Sequence, residues 1–205
     1  MKRRTLLGAA GVLWCAALLS LAVPAADAKA KGAARQREGS QIDATVVSIG
    51  GRASGRSRPF TLRINRFTST DEVQRLNSAL QSGGQDELLK VLSDMDAGRI
   101  AVGNNVGVDA NAIIAVPRDG GGTRLIVLFQ RTINFYELRA GARSTDYRFG
   151  YAEIVLDRDG KGEGTFIPVA RVRLHDGNQW EVEDFGTFPA RIMGARVRGG
   201  RGRAR

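Results

Sequence analysis

Arg171-Val172-Arg173-Leu174-His175-Asp176-Gly177-Asn178-Gln179-Trp180-Glu181-Val182-Glu183 is the stretch on which the fold turns. With Asp176-Gly177-Asn178 as a hairpin loop, Val172 faces Val182 and Leu174 faces Trp180 on one side of a sheet. Arg173 then faces Glu181, and Arg171 faces Glu183, on the other. A single register satisfies both the apolar face and the charges, as cross-strand pairs require. The two strands are expected to be antiparallel neighbours, with His175 at a strand end beside the turn.

The same period of two recurs along the chain. Ile42, Ala44 and Val46 alternate with Asp43 and Thr45, and Phe60, Leu62 and Ile64 alternate with Thr61, Arg63 and Asn65, with a turn from Gly50 to Pro59 between them. Val106, Val108, Ala110, Ala112, Ile114 and Val116 alternate up to a turn at 117–123, and Leu125, Val127 and Phe129 return. Further strands are expected at 134–138, 147–156, 164–174, 179–185 and 189–195, and the short connection Asp157-Arg158-Asp159-Gly160 points to another hairpin. One helical interlude interrupts them. Ser69 and Glu72 have capping-box spacing, Val73, Leu76 and Leu80 share a face, and Gly83-Gly84 ends that helix. A second short helix carries Leu88, Leu89, Leu92 and Met95 before Gly98. The expected fold is α+β and β-rich: a mainly antiparallel curved sheet or open barrel, with a helical hairpin packed against it. No internal repeat is evident.

Three segments carry a resemblance. Thr70-Asp71-Glu72-Val73-Gln74-Arg75-Leu76 with Gly83-Gly84-Gln85-Asp86, then Gly160-Lys161-Gly162-Glu163-Gly164-Thr165-Phe166-Ile167-Pro168, then Pro189-Ala190-Arg191-Ile192 are similar to a family of small exported bacterial proteins of unassigned function. The similarity spans most of residues 59–195. It implies an extracytoplasmic β-rich domain and brings no activity, cofactor or catalytic residue with it.

Outside the domain, composition changes at both ends. Lys2, Arg3 and Arg4 precede an apolar run from Leu6 to Val23, and Ala26-Asp27-Ala28 follows as a small-x-small cleavage site. Residues 1–28 are read as a signal peptide, cleaved near Ala28, that places the protein in the periplasm, on the cell surface or in the medium. Arg3-Arg4-Thr5-Leu6-Leu7 also resembles a twin-arginine signal, so the ordinary and the folded-state export routes both stay open. Cleavage removes the single cysteine, Cys15, and lowers the formal charge of +10 by two. Residues 29–39 form a basic linker, 40–195 a single domain, and 196–205 a tail rich in arginine and glycine. The domain holds 19 basic and 19 acidic side chains, so the excess charge sits at its ends. A nucleic-acid-binding domain with a basic face is therefore not expected; Arg196, Arg198, Arg201, Arg203 and Arg205 are candidate contacts for an anionic envelope surface.

Reactive chemistry is sparse. The mature chain has no thiol and therefore no disulfide or cysteine metal ligand. His175 is the sole histidine, and its place at a turn argues against a base. Glu181 and Glu183 lie about 6.6 Å apart along one strand face, a separation seen in sugar hydrolases, yet each has an arginine opposite. Asp157, Asp159 and Glu163 imitate a calcium loop, but Lys161 and Pro168 occupy positions that need oxygen donors. Asp119-Gly120-Gly121-Gly122-Thr123 opens no helix and so lacks the geometry of a phosphate cradle. No catalytic, cofactor-binding or metal-binding residue is assigned, and no cofactor is expected. Tyr147, Phe149 and Tyr151 fall on one strand face and are candidate ligand-lining residues, with core packing as the competing account. The leading expectation is a non-catalytic module that binds a small apolar or sugar ligand or an envelope protein. The alternatives are an envelope-associated protein held to anionic polymers or lipids by its basic tails, and a carboxylate-dependent hydrolase.

Overall fold

The computed structural model describes residues 38–49, 54–131, 146–175, 179–185 and 189–199. The expected signal peptide, the basic linker up to residue 37, the strand expected at 134–138, the loop 176–178 and the arginines beyond 199 lie outside the described residues. Among those described, the strands are β1 (Gln41–Val47), β2 (Ser57–Ile64), β3 (Gly98–Val102), β4 (Val108–Ala110), β5 (Ala112–Pro117), β6 (Thr123–Gln130), β7 (Phe149–Leu156), β8 (Lys161–His175), β9 (Gln179–Asp184) and β10 (Ala190–Arg198). One helical element, α1 (Thr70–Ser93), lies between β2 and β3.

All strand pairs are antiparallel, in the order β4-β3-β2-β1-β10-β8-β7-β6-β5, with β9 paired to β8. The sheet curls into a nearly closed barrel with one unsealed seam, and the helix packs against its outside. The register expected for the 171–183 hairpin is the one found: Val172 pairs with Val182, Leu174 with Trp180, Arg173 with Glu181 and Arg171 with Glu183. Its ion pair runs diagonally, from Arg173 to Glu183 at 3.0 Å.

Side chains from alternate positions fill two cores. Ile42, Phe60, Leu62, Ile100, Leu125, Val127, Ile154, Phe166 and Ile192 point into the barrel. Ile126, Leu128, Phe149, Tyr151, Val172 and Trp180 point outward from β6 to β9 and meet Val73, Leu76, Leu80, Leu88 and Leu92 of α1. Curvature comes from an extra residue in β10, between Ile192 and Ala195, and another in β8, between Ile167 and Ala170, where the register shifts against β1, β8 and β7. Gly162 and Gly164 let β8 approach β7 so closely that a Cβ would lie 1.8 and 1.9 Å from the Val155 and Glu153 carbonyl oxygens. Strand β8 serves two partners on one side, β10 along 161–166 and β9 along 170–175. Pro168, which has no amide hydrogen to offer a ladder, falls in the gap between them.

Two sequence expectations need correction. The even-numbered run from Val106 to Val116 is not one alternating strand. Glycines 103 and 107, at φ of 78° and 86°, form a turn that folds β4 back on β3, and Asn111 then reverses the phase. Ala110 faces the barrel interior, whereas Ala112 and Ile114 face the helix. At the C-terminal end, β10 continues to Arg198, so Arg196 and Arg198 are sheet residues rather than the start of a tail.

The helical interlude is one element broken at Gly84 (φ 61°, ψ −139°), and both of its segments contribute to the same outer core. Its start has the expected capping box: the Glu72 N–H donates to Ser69 Oγ at 3.3 Å and the Ser69 N–H to Glu72 Oε2 at 2.8 Å. Arg66 donates to the same carboxylate at 2.8 Å, and this charged hydrogen bond, reinforced by the Ser69 amide, holds Glu72 down at a pKa of about 2. Just past the break, the Gln85 side chain docks on β8 by donating to the Val172 carbonyl and accepting from the Val172 N–H at 3.3 Å. Trp180 completes the anchor, its Nε1–H donating to Asn77 Oδ1 at 2.5 Å. Among the described residues no helix is long and apolar enough to cross a membrane.

Candidate functional site

The seam is where the two ends of the strand path meet. β4 and β5 follow each other through Asn111, but β4 pairs with β3 while β5 pairs with β6. Beyond Ala112 the ladder between this bent strand and β6 stops. Asn111 takes over: its Oδ1 accepts from the Gln130 N–H at 2.8 Å and its Nδ2 donates to the Met95 carbonyl at 3.0 Å. On the free edge of β5, Thr68 acts similarly, its Oγ1 accepting from the Ile113 N–H at 2.9 Å and its own N–H donating to the Ile113 carbonyl at 2.8 Å. The opening is thus lined by satisfied polar groups, as a stable gap in a barrel must be.

Beside this seam the barrel has an apolar mouth. Ile100, Val102, Val106, Val108, Phe129 and Phe166 line a hollow of about 290 Å³. At its floor the Phe129 and Phe166 rings stack with centroids 6.2 Å apart, and Phe60 meets Phe166 edge-on at 6.2 Å. At its rim Val106 is 83 % exposed on the tip of the β3–β4 turn. Gly107 is required just behind it, because a Cβ there would stand 2.5 Å from the Ile100 carbonyl oxygen. Val108 and Gly107 also border a second, polar hollow of about 510 Å³ with Arg99, Asp109, Asn111, Gln130 and Arg131. Arg99 and Asp109 form an ion pair of 2.9 Å across β3 and β4. An apolar mouth with a polar, partly charged flank is an arrangement suited to holding a small molecule in one orientation.

The residues singled out from sequence lie elsewhere. Phe149 and Tyr151 are 0 % and 3 % exposed and belong to the core beneath α1. Phe149 and Tyr151 share the helix-covered face, Tyr147 precedes β7 and meets β9 instead, and none of the three borders the mouth. Burial, helped by the nearby Glu153 carboxylate that the Tyr151 hydroxyl reaches at 3.0 Å, pushes the Tyr151 pKa up. Tyr147 is half-buried, stacked edge-on against Phe185 at 4.9 Å, and its hydroxyl donates to Glu183 at 2.6 Å, which raises its pKa. Glu183 therefore serves Tyr147 and Arg173 together, a structural post between β9 and the start of β7. His175 ends β8 opposite Gln179. The Asp157 carboxylate accepts from the amides of Asp159 and Lys161 at 2.8 and 2.9 Å, which makes it the organiser of the β7–β8 turn. Among the described residues no cluster of acids and histidine could hold a metal ion. The 119–123 run closes the β5–β6 hairpin, and Arg158 donates to its Gly120 carbonyl at 2.8 Å.

What sequence reading missed is the mouth. Its one signal was Asn111, a polar residue in the middle of an apolar run, which marks the point where the strand changes partner. Phe129 and Phe166 gave none, since period two reads them as ordinary core. No family model, no curated protein and no solved structure matches this chain.

Proposed function

We propose that the protein is an exported, non-catalytic binding module that takes a small apolar ligand at the mouth of its barrel. The observation that carries this reading is the apolar hollow between β3, β4, β6 and β8, in which an exposed Val106 stands over the stacked Phe129 and Phe166 rings. Exposed apolar surface gathered in a concavity is what a ligand of low polarity recognises. The flanking Arg99, Gln130 and Arg131 would orient a polar group on that ligand. Export rests on the sequence of residues 1–28 and on the resemblance to small exported proteins.

N-phenyl-1-naphthylamine, an uncharged dye that brightens in apolar surroundings, tests the site. Saturable binding at one site is expected for the mature chain, lost in Val106→Glu while the circular dichroism spectrum stays unchanged. Equal dye binding by both proteins, or none by the native one, would overturn the assignment. For the export half, the N-terminus of the protein recovered from the host envelope should be Lys29, and recovery of the intact Met1 chain from the cytoplasm would count against it.

A further inference from the structure

On the outer surface of β10, β1, β2 and β3, opposite the helix-covered side, two cross-strand rows concentrate positive charge. Arg198, Gln41, Arg63, Arg99 and Asp109 are successive Cα partners from β10 to β4. Lys161, Arg196, Asp43, Thr61 and Ala101 form the adjoining row from β8 to β3. The intervening Ile42, Leu62 and Ile100 point into the barrel, which fixes both rows on the outside. Asp43 is taken by Arg198 at 2.6 Å and Asp109 by Arg99 at 2.9 Å. Arg63, Arg196 and Lys161 have no carboxylate partner among the described residues. Arg63 also stands directly across from Arg99, and like charges so placed cost a sheet stability. Asp109 offsets that cost from the Arg99 side only; a bound anion would offset it at Arg63.

We propose that this face binds an acidic polysaccharide chain. The cations form two groups, Lys161, Arg196 and Arg198 on β8 and β10 and Arg63 and Arg99 on β2 and β3, separated by Gln41 and Asp43 of β1. Neighbours within a group are about 4.8 Å apart across strands or about 6.7 Å along one, and the gap across β1 is about 9.6 Å, so an extended acidic chain can meet one group and then the other. The outward positions of the two rows hold no aromatic ring on which a nucleic-acid base could stack, and no large apolar side chain that could enter a bilayer. The opposite side repels the same ligand: residues 71–96 carry Asp71, Glu72, Asp86, Glu87, Asp94 and Asp96 against only Arg75 and Lys90. The ligand is thereby confined to one face, which meets the polar flank of the mouth at Arg99 and Asp109; Arg63, Arg196, Arg198 and Lys161 lie outside that flank.

Heparin serves as the sulfated probe, with affinity measured over a range of salt. Arg63→Gln combined with Lys161→Gln is expected to weaken binding roughly tenfold and to lower the salt slope by roughly two. Lys90→Gln combined with Arg118→Gln, an equal loss of charge on other faces, should leave binding as it was. The proposal fails if the two pairs weaken binding equally, if the first pair has no effect, or if ending the chain at Gly199 abolishes binding by itself. Tighter binding of oligo-dT or of phosphatidylserine vesicles than of heparin would also overturn it, in favour of a nucleic acid or a membrane.

Discussion

Strands β2 and β6 belong to one sheet and read quite differently. In β2, Ser-Arg-Pro-Phe-Thr-Leu-Arg-Ile, burial alternates residue by residue along its second half, because one face meets the barrel interior and the other meets water. In β6, Thr-Arg-Leu-Ile-Val-Leu-Phe-Gln, five consecutive residues are buried, because α1 covers the outer face as well. A strand buried on both sides needs apolar residues at every position. The half of the barrel under the helix is thus a three-layer structure, and the other half is a single sheet whose exposed face is free to carry charge.

A charge placed on the outer face should break this contrast most strongly. Ile126→Asp puts a carboxylate beneath α1 and is expected to cost more than about 4 kcal/mol, enough to prevent folding, whereas Thr45→Asp on the uncovered face should cost under about 1 kcal/mol. Chemical denaturation of the two variants reads the difference; similar losses would mean that the helix does not seal its side. Next in size is the seam. Asn111→Ala leaves the Gln130 N–H and the Met95 carbonyl without partners, and a loss of roughly 2–3 kcal/mol is expected, together with faster amide exchange at Gln130.

The smallest effect concerns the helix start. Glu72→Ala removes the capping-box partner and the Arg66 ion pair, with an expected loss of about 1–2 kcal/mol at neutral pH. Because the folded-state pKa of Glu72, about 2, lies below its ordinary 4.5, its contribution is present above pH 4.5 and disappears as pH falls toward 2. The gap in stability between native and variant proteins should therefore close over that window. A gap independent of pH would show that the carboxylate's charge contributes nothing.

Much of this architecture was legible because it obeys local rules. The 171–183 register followed from pairing Val with Val and Arg with Glu, and the helix start from Ser69 and Glu72. The run from 106 to 116 misled because periodicity reports which side a residue faces, not which strand it pairs with; Asn111 exchanges partners and reverses the phase within a single residue. The mouth was invisible for a related reason. Its lining comes from β3, β4, β6 and β8, which are distant in sequence, and each contributes residues that look like core on their own strand. The basic face was legible only at Arg196 and Arg198, which read as part of a tail; Arg63, Arg99 and Lys161 were hidden by arithmetic, since residues 40–195 are neutral in sum while the topology sorts their charges to opposite sides.

The one-residue link at Asn111 also bears on how the barrel is assembled. The two ends of its strand path are consecutive in the chain, so bringing them together demands almost no search. The costly encounter is at the far side of the circle, where β1 must find β10 about 150 residues later, and non-local pairings of that kind set the pace of folding. Substitutions in the β1–β10 ladder should accordingly slow folding, whereas those at the seam should mainly hasten unfolding.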